Sequence, residues 1–318
     1  MSHTPTEQDA ITIVQTVLQR PVSAVRRLPT GLCHYVYSVT TEDQQQVVAR
    51  IARPETQSFL AGGVFWSHLL RPQGIPLPEL LYADLEATII PFAFMLLEQL
   101  PGTDLGDIYR RLSWFDKQAI VAELAPIQAL VQQFLPPGNG FGEIISPEDG
   151  LPYQTWIEVI EQSLLDSQQQ IAQVGVVDLR HGERVWQRLS RFKPYLDQVA
   201  PIPFLDDITT KNVLIHNRRL AGIVDVDGIS YGDPLFVVAQ TQMPLLKQKE
   251  DLDYIKAWTD YLQLTPEQHR VLQFYTAICC INFMSELGQR FNKDQPVPAD
   301  ESMVQHLTRV LDDLLETL

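Results

Sequence analysis

Asp207, Asn212 and Asp225 are the residues of this chain whose types and spacing could do chemistry. They fall in residues 205–234, LDDITTKNVLIHNRRLAGIVDVDGISYGDP, where two acidic clusters are separated by two short apolar runs. Residues 213–215 read as a strand, 216–219 as a turn and 220–224 as a second strand. A tight hairpin would set Asn212 and Asp225 side by side, because both sit just outside the paired strands. A carboxylate and an amide oxygen meeting there make a hard-oxygen site suited to Mg2+. Asp207 lies on the loop before the first strand, close enough to orient a hydroxyl beside that metal. A base, an Asn ligand and an Asp ligand in this order are the working parts of kinase-type phosphoryl transfer.

The elements that must position these residues divide unevenly along the chain. Residues 5–20 read as a helix, with Thr4 as a plausible cap and Pro5 in the first turn. Three strand-like runs follow at 24–28, 35–40 and 47–51, the first two joined through Pro29-Thr30-Gly31. Residues 55–70 form a further helix pattern, and 80–83 and 89–97 two further strands. Beyond Pro101-Gly102 the pattern is helical at 103–111, 114–134, 153–174 and 183–199. After the hairpin it is helical again at 236–246, 250–262, 266–287 and 301–315, and Thr265-Pro266-Glu267-Gln268 is a clear helix start. Tyr254, Trp258 and Tyr261 recur at helical spacing and are expected in the core, as are Cys279 and Cys280. The expected boundary separates 1–100, rich in sheet, from a helical 101–318 that carries the hairpin.

The segment 205–234 resembles the catalytic core of the aminoglycoside phosphotransferase and choline kinase-like family. That pattern is H-G-D-x-x-x-x-N, a short hairpin, I-D-(W/F) and then G-D-P, matched here by Asp207, Asn212, Asp225 and Gly232-Asp233-Pro234. The family's His and Gly are Leu205 and Asp206 here, so two adjacent acids compete for the base role and the spacing favours Asp207. The resemblance implies an α+β, two-lobed protein-kinase-like fold, with an antiparallel-sheet N-terminal lobe and a mainly helical C-terminal lobe. It implies ATP and Mg2+ as cofactors, with Asn212 and Asp225 as metal ligands and Asp207 as catalytic base. It places Arg50, on the third strand, at the nucleotide phosphates, where a fork of donors suits phosphate oxygens. It places the turn at Gly31 over those phosphates, and the backbone of Glu98, Gln99 and Leu100 at the adenine. Related kinases carry a Glu on the next helix to pair with the strand cation. That position falls near Gly63, in Ala61-Gly62-Gly63, with no carboxylate, although Glu55 begins the helix. Asp227 is then a further metal or near-metal group and Asp233 a brace for the loop. Trp156, Glu158 and Glu161 are candidates for an acceptor site, the Trp reading first as core.

Composition narrows the partners. The formal net charge is −15, which excludes the basic footprint of a nucleic-acid binder and fits a cleft that attracts a cationic small molecule. Plain solubility explains the same charge. Cys33, Cys279 and Cys280 make no disulfide framework or metal pattern. With no cationic, apolar leader and no stretch of about 18 apolar residues, the expected compartment is the cytoplasm, without a membrane span. Two rival chemistries have motifs. Gly228-Ile229-Ser230-Tyr231-Gly232 matches G-x-S-x-G, but a nucleophile elbow needs further β/α units carrying Asp and His. The later His269 and His306 lie in helical runs. Asp225-Val226-Asp227 matches a D-x-D of metal-dependent sugar transfer, with no nucleotide-sugar domain before it. The remaining alternative is a nucleotide-binding pseudokinase, because a site that works by positioning and charge still folds when degraded. The expected activity is transfer of the ATP γ-phosphate to a hydroxyl of a small molecule, an aminoglycoside, an amino alcohol or a sugar.

Overall fold

The computed structural model describes residues 4–28, 33–135, 138–146, 148, 150–291 and 296–318. Its first part is an antiparallel sheet, built from β1 (Val22–Leu28), β2 (Tyr35–Thr41), β3 (Gln46–Ile51), β4 (Leu80–Asp84) and β5 (Phe94–Glu98), in the order β1-β2-β3-β5-β4. Alternation along the strands gives each face its own helix. Tyr37, Val39, Val47, Ala49, Phe94 and Leu96 face α1 (Glu7–Leu18), which inserts Ala10, Ile13 and Val14. Ala52, Met95 and Leu97 share the other face with Leu60 of α2 (Gln57–Leu70). Arg50 pairs with Met95 across β3 and β5 and so lies on this second face. Thr6 caps α1 in a reciprocal box with Asp9, and α1 ends at left-handed Gln19.

The rest of the chain is helical around one large core. Its helices are α3 (Leu105–Ile108), α4 (Trp114–Phe134), α5 (Trp156–Val174), α6 (Arg180–Leu196), α7 (Leu235–Lys247), α8 (Asp253–Leu262), α9 (Pro266–Ser285) and α10 (Glu301–Glu316). Trp66 and Leu70 at the end of α2, with Ile75 and Leu77 after it, join that core. Two small sheets sit on it. One is β10-β9-β6, made of β6 (Thr103–Asp104), β9 (Val213–His216) and β10 (Arg219–Ile223). The other is β7-β11-β8, made of β7 (Gly142–Ile144), β8 (Ile202–Phe204) and β11 (Ile229–Gly232).

The expected hairpin is present with a tighter turn than four residues: His216 and Arg219 pair, and Asn217 and Arg218 take φ of 50° and 63°. Positive φ at both central residues is the two-residue turn whose twist matches paired strands. Three strands, β7, β8 and β11, go unread in the sequence because each is too short to show alternation. Residues 89–93, expected as strand, are bends held by the Asp84 carboxylate, which accepts from the backbone N–H of Thr88 at 2.7 Å and Ile89 at 2.9 Å. Residues 103–104, expected as the start of a helix, are β6. Cys279, Cys280, Tyr254 and Trp258 are buried as expected, but Tyr261 is 48% exposed. It falls in the last turn of α8, beside left-handed Gln263, where the helix leaves the core.

Asp233 fixes the entry to α7. Its Oδ1 accepts from the Leu235 N–H at 3.0 Å, and its Oδ2 accepts from the hydroxyls of Tyr195 and Tyr275, each at 3.0 Å. Trp156 donates to the Tyr275 hydroxyl at 2.8 Å. Burial raises the Asp233 pKa, and these three donors oppose the rise. Asp233→Ala would leave two hydroxyls and an amide without their acceptor. It should lower the free energy of unfolding by about 3 kcal/mol, read from urea denaturation. A variant within error of the wild type would show that the network contributes nothing net.

Candidate active site

The site is built at the open end of the β9–β10 hairpin. Val213 pairs with Ile223, and the Val224 N–H donates to the Asn212 carbonyl at 2.9 Å. Asn212 and Asp225 therefore flank the last rung. The Asn212 side chain is 8% exposed, and its Nδ2 donates to the Asp207 carbonyl at 2.9 Å. That bond turns the amide oxygen the other way, and it ties the loop carrying Asp207 to the strand carrying Asn212. Asp225 has φ of 65°, an uncommon conformation that Asp tolerates better than most residues and that re-aims the side chain at the strand's end. The hairpin itself is held by Glu123 of α4, which accepts from the Leu220 N–H at 2.8 Å and pairs with Arg219. The Pro76 carbonyl accepts from the Ile223 N–H at 2.9 Å.

Leu205 and Asp206 differ from the motif they resemble, and the fold compensates for both. Leu205 is buried, and its backbone is bracketed by one side chain: Gln128 Nε2 donates to the Leu205 carbonyl at 2.6 Å and Gln128 Oε1 accepts from the Leu205 N–H at 2.9 Å. Asp206 accepts from the Ser230 hydroxyl, which turns it toward β11. The two adjacent acids thus separate, leaving Asp207 beside Asn212. Burial raises the Asp206 pKa, with Ser230 opposing. The Asp207 carboxyl, at the exposed mouth of the site, is pushed up to about 7, first by the protein packed around it, then by Asp225 and Asp206. Glu143, on β7, keeps an exposed surface, yet the protein around its carboxyl, with Asp206, Asp227 and Asp207, pushes it up to about 8.

Arg50 enters from the first sheet. Its Nη1 and Nη2 donate to Asp227 Oδ1 and Oδ2 at 2.9 and 2.8 Å, a two-pronged fork, and Nη2 also reaches Asp225. His34 Nδ1 lies 3.0 Å from the same Nη2. Burial alone would lower the Arg50 pKa, but Asp227 and Asp225 more than reverse this and raise it. Burial and the nearby guanidinium bring His34 down to about 3, so it faces Arg50 as a neutral acceptor. Arg50 is thus buried on its strand and paired across the cleft.

The other residues singled out from the sequence fall in several places. Glu98 ends β5, and Gln99 and Leu100 follow it: the Glu98 N–H donates to the Glu79 carbonyl at 2.9 Å, the Gln99 N–H to the Gln46 carbonyl at 3.3 Å, and Ser38 donates to the Gln99 side chain at 2.7 Å. Gly31 lies outside the described residues. Trp156 is core. Glu158 forms the capping box of α5 with Thr155, accepting from its N–H at 3.1 Å, so its carboxylate is already used as a helix cap. Glu161 is half-buried on the same helix. Ser230 is buried inside β11, paired with Phe204 and Glu143, instead of at a strand-to-helix elbow. His306 is engaged with the carbonyls of Leu246 and Lys247. That arrangement removes the hydrolase reading. His34, Gln128 and Glu143 went unnoticed in the sequence, since each acts through a partner far along the chain.

The residues at the hairpin fit a hard divalent cation. Asn212 presents an amide oxygen and Asp225 a carboxylate that is about one-third exposed, donors of the kind Mg2+ prefers. Donor atoms of His34, Asp225 and Asp227 lie within 4.8 Å of one another, but His34 is already spent on Arg50.

A model of the phosphotransferase enzyme family (APH) matches residues 24–273, and the chain belongs to that family. No curated protein matches the sequence. Among solved structures, the chain is similar to a thermostable mutant of aminoglycoside phosphotransferase APH(4)-Ia in ternary complex with ADP and hygromycin B. The TM-score is 0.69 and the identity 17%, with 99% of each chain covered. It is similar to an aminoglycoside 2'-phosphotransferase-IIIa mutant in complex with GDP, at a TM-score of 0.68 and 14% identity, covering 98% of each chain. A third is the streptomycin–ATP–APH(2")-IIa ternary complex, at 0.65 and 14%, covering 99% of this chain and 97% of that one. The two-lobed, protein-kinase-like α+β fold is therefore shown over the full length. Among the described residues no helix is long and apolar enough to cross a membrane.

The raised carboxyls have a consequence for stability. In the folded chain Asp207 holds its proton to about 7 and Glu143 to about 8, against ordinary values of 3.8 and 4.5. Between those limits the folded state binds protons that the unfolded chain has released, so stability is lost as pH rises through that window. Without divalent cations the melting temperature should fall between pH 5 and pH 8, and Asp207→Asn or Glu143→Gln should flatten the fall. A slope the same in both variants as in the wild type would contradict the assignment.

Proposed function

We propose that this protein transfers the γ-phosphate of ATP to a hydroxyl of a small molecule. The observation that carries the reading is the meeting of Asp207, Asn212 and Asp225 at one end of the hairpin, with Asn212 bonded to the loop of Asp207. Adenine sits at the backbone of residues 98–100. Since the N–H groups of Glu98 and Gln99 are already engaged, the contact falls to the remaining backbone groups of that stretch. Arg50 faces the phosphates. Asn212 and Asp225 hold Mg2+, which when bound neutralises charge on the phosphate oxygens.

Asp207 orients the acceptor hydroxyl and takes its proton as the oxygen attacks phosphorus. The new O–P bond forms as the bond to the ADP oxygen breaks. Five carboxyls, Glu143, Asp206, Asp207, Asp225 and Asp227, influence one another here. The acceptor classes that suit such an acidic cleft are an aminoglycoside, an amino alcohol or a sugar, and one that brings positive charge suits it most. The similar structures bound to hygromycin B and streptomycin support a small-molecule acceptor. A cytoplasmic location goes with an ATP donor.

Asp207→Asn tests the base. It should reduce ATP-dependent phosphorylation of a panel of aminoglycosides, amino alcohols and sugars by about a thousandfold or more. MgATP should still raise the melting temperature. Full turnover in the variant would reject Asp207 as the base. Wild-type protein that MgATP stabilises but that phosphorylates nothing in the panel would favour a nucleotide-binding protein without turnover.

A further inference from the structure

The cation on β3 has no carboxylate facing it from α2, whose Gly62 and Gly63 stand where an acid would reach it. What fills that place comes from the far side of the cleft. A Cβ built on Gly63 would lie 2.6 Å from Asp227 Oδ1 and 3.5 Å from Arg50 Nη1. A Cβ on Gly62 would collide with the Asp227 carbonyl and come within 2.7 Å of Ile145 Cγ2. The helix is therefore bare at these two positions because Asp227 and its backbone occupy the space. Trp66, one turn further along α2, donates to the Ile145 carbonyl at 2.9 Å and keeps the helix against this segment.

We propose that Asp227, seated in the Gly62–Gly63 notch of α2, is the positioning residue for Arg50 and takes the place of a helix carboxylate. This inference rests on the function proposed above and deepens it. Both oxygens of Asp227 accept from both terminal nitrogens of Arg50, which fixes the guanidinium in its plane and its direction. The anchor stands two residues from Asp225 on the same segment, so the phosphate-facing cation and the metal-facing acid are set by one piece of backbone. Asp227 also holds Arg50 away from an alternative. Arg50 already touches Asp225 through Nη2. Without Asp227 the whole guanidinium is free to settle on Asp225 and compete there with Mg2+. Asp227 thus acts through Arg50, and its effect on the nucleotide depends on Arg50 being present.

That dependence is the test. MgATP affinity is measured by isothermal titration calorimetry on the wild type, Asp227→Gly, Arg50→Met and the double variant Arg50→Met with Asp227→Gly. In the wild-type background Asp227→Gly should weaken MgATP about tenfold. In the Arg50→Met background the same change should weaken it no further, since there Asp227 is a bare negative charge near the phosphates. Moving the carboxylate to the helix, as Asp227→Gly with Gly63→Glu, should recover most of the loss. An equal loss in both backgrounds would overturn the inference, because Asp227 would then act on the metal directly. So would unchanged affinity in Asp227→Gly, or no recovery on moving the carboxylate. Asp227→Asn, which keeps the shape and removes the charge, carries the same cycle should Asp227→Gly fail to fold. Wild-type protein that binds no MgATP would overturn the proposed function, and this inference with it.

Discussion

A single buried guanidinium among carboxylates is the constraint on which the rest of the structure turns. Arg50 is 6% exposed, and burying a charge is tolerated only when it is paired and hydrogen-bonded. Its partners Asp225 and Asp227 belong to a segment some 175 residues further along the chain. The first sheet and the hairpin must therefore meet, and α2 must let them meet closely. The charges do not balance locally: Glu143, Asp206 and Asp207 stand nearby, and the raised pKa of Asp207 and Glu143 is how the ligand-free fold carries the excess.

Around that centre the support is rigid and mostly polar. Gln128 clamps the backbone at Leu205, Asn212 ties the loop to β9, Ser230 draws Asp206 aside, and Asp233 collects two tyrosines and the start of α7. Each is a side chain from a helix or strand, or a bond to one, so the loop carrying Asp207 inherits the positional precision of the large core. The substitution of the motif His by Leu205 is informative here. A buried leucine anchors the loop apolarly, and the backbone groups that it cannot satisfy are met by Gln128 from α4. The role has moved from the loop itself to the helix beneath it.

How much of this was legible follows from where the information lies. The hairpin, Asp207, Asn212 and Asp225 were readable because they are local: their relation is fixed by a few residues of spacing and a two-residue turn. The helices showed through their periodicity and caps. What stayed hidden depends on residues brought together from far apart. Glu143 lies on a three-residue strand and pairs with Ser230 of β11, far along the chain, and no alternation marks either strand. Gln128 reads as one polar residue among several on α4, and only Leu205 gives it meaning. Asp227 reads in the sequence as a metal or near-metal acid, and the carboxylate partner of Arg50 is expected on α2, where the sequence offers two glycines.

Those two glycines and the choice of arginine form one argument. A lysine at position 50 carries a compact charge that could not lie flat against both oxygens of Asp227 while reaching Asp225 and His34; the planar, forked guanidinium can. The flat group must be met edge-on by a carboxylate standing between β3 and α2. That carboxylate fits only where α2 has no side chains, which is at Gly62 and Gly63. Arginine on the strand, glycine on the helix and aspartate two residues past the hairpin are therefore interdependent, and changing any one alone leaves a buried charge or a collision. The carboxylate that pairs with Arg50 thus comes from across the cleft, on the segment after the hairpin, and not from the helix beside it.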